Sequence, residues 1–206
     1  MTEKYASLLS ADAADYRSTI KKIESMGFTG LHFDVMDGHF VKNFAFSPQI
    51  IKSLRRLTLL TFNVHLEIQR PGEFLEIFID AGADMITIHP TASKTIERDL
   101  KFLRAKNIKS SIALDPELKV IEISKYLPLT DNVIIMTVYP GFGQQNFITG
   151  SLEKISELKS IIEKSGMEIT ISVDGSINEE TTNMVIKQGA DILIYGSSIF
   201  PESNTQ

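Results

Sequence analysis

The chain has 206 residues, 43% of them hydrophobic and 23% charged, with a net charge of -5 and no cysteine. That composition can fill a sizeable core, and the acidic excess without any basic run excludes nucleic acid as the main partner. The missing cysteines remove disulfides and thiolate metal sites, and no apolar run reaches membrane-spanning length, so a cytoplasmic protein with no membrane contact is expected.

Short β-type runs alternate with amphipathic stretches from one end to the other. The spacing predicts a strand over 5–9, then a helix opening near Ser10-Ala11-Asp12 and carrying Ile20, Ile23 and Met26 to a stop at Gly27. A second strand covers 31–36. It turns Leu31, Phe33 and Val35 to one face and His32, Asp34 and Met36 to the other. Asp37-Gly38 breaks it, and a helix follows over 48–57. The third strand, 61–68, is stopped by Arg70-Pro71-Gly72, and Phe74, Ile77, Phe78 and Ala81 mark the next helix.

The fourth strand is 85–89, with Ile96, Leu100 and Leu103 behind it. The fifth is 111–114, followed by Val120, Ile123 and Leu127. The sixth, 133–138, leads through a glycine-rich turn to a stripe of Leu152, Ile155, Leu158 and Ile162. The seventh strand is 169–173, with a helix over 181–189, and the eighth is 192–195.

Eight strand-then-helix units, repeating about every 25 residues, predict parallel strands joined by right-handed crossovers. An open doubly wound sheet needs both strand faces apolar. Here three strands carry one polar face each: His32/Asp34, Asn63/His65/Glu67 and Thr170/Ser172/Asp174. A barrel lumen near its C-terminal mouth tolerates such faces. The expected fold is α/β, a single (β/α)8 TIM barrel spanning 1–206 as one domain. Only 201–206 remain after Ile199-Phe200, so the last helix is expected to be short or missing. The outer faces of the eighth and first strands would then lack cover. Either a second subunit would supply it or the barrel wall would be thinner there, and a homo-oligomer is expected.

In that barrel His32, Asp34, His65 and Asp174 point inward at one rim, where catalytic groups gather. Two imidazoles and two carboxylates from separate strands suit zinc or a comparable divalent ion. Each alone has a bland reading, a packed histidine or an aspartate in a turn. Their shared placement is what argues for a site. Pro140-Gly141-Phe142-Gly143, Asp174-Gly175-Ser176 and Gly196-Ser197-Ser198 follow the last three strands. Glycines there let backbone N–H groups approach an anion, and barrels often hold phosphate at these loops.

The chain resembles the ribulose-phosphate 3-epimerases and their allulose-6-phosphate 3-epimerase relatives. The likeness runs from Ser7-Leu8-Leu9-Ser10-Ala11-Asp12 to Gly196-Ser197-Ser198-Ile199-Phe200. Its most specific pieces are Asp34-Val35-Met36-Asp37-Gly38-His39-Phe40-Val41, Val64-His65-Leu66, Pro140-Gly141-Phe142-Gly143 and Val173-Asp174-Gly175. The resemblance implies an isomerase of pentose phosphate metabolism that inverts C3 of a phosphosugar, converting D-ribulose 5-phosphate to D-xylulose 5-phosphate. It implies one divalent ion per subunit, zinc first, with iron, manganese and cobalt as alternatives. Its ligands would be His32, Asp34, His65 and Asp174, with Asp34 and Asp174 also the acid/base pair. Ser7, His65, Gly141, Phe142, Gly143, Gln144, Asp174, Gly175, Ser176, Gly196 and Ser197 would contact substrate. Met36 and Met136 match methionines packed over the reacting carbons.

Four positions depart from the family pattern. Glu67 replaces a usual Met beside His65, Asn63 a common Asp, and Gln144 a usual Gly. Tyr139 precedes Pro140 where Asn, Asp or Glu is common. Ser176, His89-Pro90 and Met136-Thr137-Val138 lean toward the hexulose-phosphate relatives. An allulose-6-phosphate 3-epimerase thus stays open, as does a phosphosugar-binding barrel with weak or lost catalysis.

Overall fold

The computed structural model of the chain describes residues 2–200. Its strands are β1 (Glu3–Ser7), β2 (Gly30–Asp37), β3 (Phe44–Ala45), β4 (Thr61–Glu67), β5 (Met85–Ile88), β6 (Lys109–Leu114), β7 (Asn132–Met136), β8 (Thr170–Asp174) and β9 (Ile192–Tyr195). All except β3 run parallel, and β1 pairs with both β2 and β9, which closes an eight-stranded barrel. The expected TIM barrel is found. The short β3 lies antiparallel on the end of β2, through Met36–Ala45 and Asp37–Phe44 pairs. The sequence reading did not contain it.

The outer layer is α1 (Tyr16–Ser25), α2 (Pro48–Arg55), α3 (Leu75–Asp80), α4 (Ile96–Ala105), α5 (Val120–Ile123), α6 (Ser151–Ser165) and α7 (Glu179–Gln188). Local chemistry sets their ends. Ser47 accepts from the Ile50 N–H at the start of α2 with Pro48 in its first turn, and Asn178 caps α7 by accepting from Glu180 and Thr181. Gly166, at φ 67°, takes the left-handed turn that ends α6.

Two predicted helices differ. The first begins only at Tyr16, because Ser7 and Asp12 each cap a short 3-10 turn before it. The fifth is a single turn, Val120–Ile123, continued as a 3-10 segment over Ser124–Leu129. Pro128 lacks the N–H that an α-helical ladder requires there.

Strand alternation separates two apolar regions. Leu31, Phe33, Val35, Val64, Leu66 and Val173 face outward into the layer under the helices. Tyr5, Ala113, Ile134, Met136, Ile192 and Ile194 form a separate cluster inside the barrel. Each fully buried side chain of this size contributes roughly 1.5–3 kcal/mol of transfer free energy. The lumen is also polar. Asn132 accepts from Ser111 Oγ at 2.8 Å and donates to Ser172 Oγ at 2.7 Å, so these buried groups are satisfied.

The predicted shortage of an eighth helix falls on 201–206, outside the described residues. Among the described residues the uncovered face expected at the seam is not found. Ala6 and Leu193, on the outer faces of β1 and β9, are buried, and Ile199 and Phe200 pack against the same core.

Candidate active site

The C-terminal ends of β2, β4 and β8 bring the predicted cluster together. Pairing register sets the depth of each side chain: Asp34 lies opposite His65, Met36 opposite Glu67, and Met136 opposite Asp174. His32 Nε2 lies 3.1 Å from Asp34 Oδ1 and 3.6 Å from Asp174 Oδ2. His65 Nδ1 lies 3.5 Å from Asp34 Oδ1 and 3.9 Å from Asp174 Oδ2. One ligand-type atom from each of the four falls within 4.8 Å of every other. Ser7 Oγ donates to Asp34 Oδ2 at 2.7 Å, which fixes the carboxylate's second oxygen.

The residues fit a divalent cation. Both histidines are fully buried, and His65 Nδ1 faces three carboxylates, of Asp34, Glu67 and Asp174, at 3.5, 3.8 and 3.9 Å, without a hydrogen-bond partner. A buried nitrogen left unpaired among oxygen donors is what a metal-ligating ring presents.

Above the cluster opens a pocket. Asp34, Met36, Glu67, Met136 and Asp174 line it, together with Ser7, Gly141, Phe142, Gly143, Gln144, Gly175, Ser176, Gly196 and Ser197. The residues read from the sequence therefore meet around one space, with two exceptions. His32 and His65 are not among the lining residues, and both are fully buried. Among the described residues no lysine or arginine lines the pocket, so an anion there would rest on backbone N–H groups and hydroxyls. Gly141 (φ 112°) and Gly175 (φ 114°) take dihedrals that a side chain disfavours, and Gln144 (φ 59°) and Ser176 (φ 53°) take left-handed ones despite theirs.

A profile of the ribulose-phosphate 3 epimerase family matches residues 4–200. The chain belongs to this family. It is 38% identical over 199 residues to the ribulose-phosphate 3-epimerase of Bacillus subtilis (strain 168), covering 96% of this chain and 92% of that protein. It is 39% identical over 194 residues to the ribulose-phosphate 3-epimerase of Treponema pallidum (strain Nichols), covering 94% and 89%. A tryptophan synthase alpha-subunit variant from Pyrococcus furiosus superposes with a TM-score of 0.73 at 13% identity, over 98% of this chain and 91% of that one. That last likeness shows the fold alone.

Within this epimerase-family site the two aspartates differ in proton affinity. Burial raises the Asp34 carboxyl, but His32 and His65 outweigh it and hold the group well below the usual carboxylate range. Asp174 is pushed up to about 7 by burial, with the Asp34 charge adding to the rise. His65 is brought down to about 4, first by burial, so its ring is neutral near pH 7. Glu67 is raised well above its ordinary value by burial and then by the Asp34, Asp174 and Asp115 carboxylates.

The departures from the family pattern have distinct settings. Glu67 is held by the Gly141 N–H, while its Oε2 is buried without a partner. Asn63 Oδ1 accepts from Thr87 Oγ1 at 3.0 Å and leaves its Nδ2 unpaired. Tyr139 is half exposed at the pocket edge.

Sequence reasoning missed two buried residues at this site, His89 and Asp115. The signal was available. His89 continues the Met85/Thr87 face, and Asp115 continues Ser111/Ala113, by the same period of two that singled out His32 and Asp34.

Proposed function

We propose that the chain is a cation-dependent ketose-phosphate 3-epimerase acting on D-ribulose 5-phosphate. The observation that carries this reading is the meeting of Asp34 and Asp174, from strands separated by β1 and β9, in one pocket with glycine-rich loops. Inversion at C3 needs a base on one face of the carbon and an acid on the other. Asp34, ionised, accepts the C3 proton. The C–H electron pair moves toward the C2 carbonyl to give an ene-diolate, and Asp174 delivers its proton to the opposite face. The reverse reaction exchanges the two roles.

His32, Asp34, His65 and Asp174 would hold the divalent ion, zinc first, with iron, manganese and cobalt as alternatives for the same donor set. A cation there supplies positive charge beside the oxygen on which negative charge develops. Ser7 steadies Asp34 and reaches the sugar. Gly141, Phe142, Gly143, Gln144, Gly175, Ser176, Gly196 and Ser197 receive the phosphate end, whose binding positions C3 between the carboxylates. Met36 and Met136 exclude water from the reacting carbons. His65 acts from below, as a ligand rather than a substrate contact.

A hexulose phosphate is the second reading, favoured by the unpaired Glu67 Oε2, which can take up an additional sugar hydroxyl. No described helix is long and apolar enough to cross a membrane, and a cytoplasmic site of action is part of the proposal. So is a homo-oligomer of this one-domain chain. Exposed Phe44 (79%) and Leu59 (99%) support it, and light scattering at the monomer mass would exclude it.

The deciding test is solvent deuterium uptake at C3 of D-ribulose 5-phosphate and of D-allulose 6-phosphate, with zinc, iron, manganese or cobalt supplied. Uptake with the pentulose supports the first substrate, and uptake confined to the hexulose the second. Exchange with neither, in protein that has bound its ion, would leave a phosphosugar-binding barrel without catalysis.

A further inference from the structure

Behind His65 stands a line of groups that the proposed chemistry leaves unused. His65 Nε2 lies 2.7 Å from His89 Nε2, with the ring centroids 4.8 Å apart and the planes inclined by 16°. His89 Nδ1 in turn lies 2.7 Å from Asp115 Oδ1. The second Asp115 oxygen accepts from Thr91 Oγ1 at 2.9 Å, and Lys154 Nζ donates to the Asp115 and Pro116 carbonyls at 3.1 and 2.5 Å. Both rings are fully buried, and Phe40 lies against His89 at 4.8 Å. Every polar atom from His65 Nε2 to the Asp115 carboxylate thus has a partner. The unpaired atom is at the other end, His65 Nδ1.

We propose that Asp115, acting through His89, sets the ring tautomer of His65, so that His65 Nδ1 presents a lone pair to the cation site. A carboxylate can only accept, so the proton between Asp115 and His89 sits on His89 Nδ1. A neutral His89 then has a lone pair on Nε2. At 2.7 Å its neighbour must donate, which places the His65 proton on Nε2. His65 Nδ1 is left with a free lone pair, 3.5 Å from Asp34 Oδ1 and 3.9 Å from Asp174 Oδ2. The opposite His65 tautomer would set two lone pairs against each other and aim an N–H where the cation belongs.

A carboxylate that orients a metal-ligating imidazole through one hydrogen bond is a common device. Here the carboxylate stands one ring further away, on the chain just beyond β6, two strands from His65. His89 and Asp115 are positioning residues. This inference rests on the reading of His65 as a ligand.

The test uses the full-length, metal-free protein labelled with 15N at histidine, together with Asp115→Leu, Asp115→Asn and His65→Ala. Ring-nitrogen NMR reports the tautomer, and zinc titration against a competing chelator reports affinity. Wild type is expected to hold His65 in the Nε2–H form. Asp115→Leu should mix the two tautomers and weaken zinc binding roughly 10–100-fold. Asp115→Asn should recover most of that loss, because its amide oxygen still accepts from His89 Nδ1–H.

A wild-type His65 carrying its proton on Nδ1 would overturn the proposal, as would wild-type zinc affinity in Asp115→Leu. If Asp115→Leu does not fold, the wild-type tautomer and the Asp115→Asn titration still decide. Failure of the underlying reading looks different: His65→Ala would bind zinc as wild type does.

Discussion

Asp34 and Asp174 approach the same nitrogen, His32 Nε2, at 3.1 and 3.6 Å, yet their carboxyl groups are driven to opposite ends of the pH scale for such groups. Asp34 sits between two imidazoles and accepts from Ser7, whereas Asp174 is buried within reach of the Asp34 charge. One carboxylate is therefore ready to accept a proton while the other is ready to give one.

Cation affinity is expected to rise with pH up to about 7. Asp174 keeps its proton to about 7, and below that value it offers a cation a neutral carboxyl oxygen in place of a charged one, which weakens binding. His32 adds the same sign. Burial disfavours its charge, but Asp34 and Asp174 outweigh burial and raise its proton affinity. Zinc titrations at pH 6 and pH 8 should differ by at least about tenfold, with the tighter binding at pH 8. Equal affinities would contradict the assignment of Asp174 as a ligand.

His65→Ala should lose both the ion and activity. The ring supplies the nitrogen that faces Asp34 and Asp174, and the nearest other imidazole, His89, stands behind it, 2.7 Å from its far nitrogen. A loss of about 100-fold or more in zinc affinity is expected, measured on protein reloaded after chelation. Full zinc occupancy in the variant would show the site to be misplaced.

Glu67→Met should retain the ion and raise kcat/KM on D-ribulose 5-phosphate by roughly three- to tenfold, on the order of 1 kcal/mol in the barrier. Burial and the neighbouring carboxylates push the Glu67 carboxyl toward its neutral form, and its Oε2 is buried without a partner, a desolvated polar atom that Met removes from the pocket. If D-allulose 6-phosphate is instead the substrate, the same change should lower its kcat/KM. Steady-state kinetics with both sugars separates the cases.

Gln144 holds a left-handed backbone, φ 59°, in the loop that lines the phosphate end of the pocket. That conformation costs a side-chain-bearing residue roughly 1–2 kcal/mol. Gln144→Gly should leave the KM for the phosphosugar unchanged or lower, and Gln144→Val, branched at Cβ, should raise it severalfold. Equal KM values for the two variants would show that the loop is not held in this form when substrate binds.

Alternation of two along the strands and stripes along the helices were enough to predict eight parallel strands, the closed barrel, and an inward His32, Asp34, His65 and Asp174, because those periods are local properties of the backbone. The glycine loops were legible for the same reason. What only the tertiary structure decided is distance and depth. Strand register set Asp34 opposite His65, sank His65 beneath the pocket, and buried Ala6 and Leu193 where an open face was expected. It also aligned His89 and Asp115, 24 and 50 residues downstream of His65 in the sequence, behind one ring. Hydrogen bonds between separate strands depend on how the sheet closes, and closure is a property of the whole chain rather than of any segment within it.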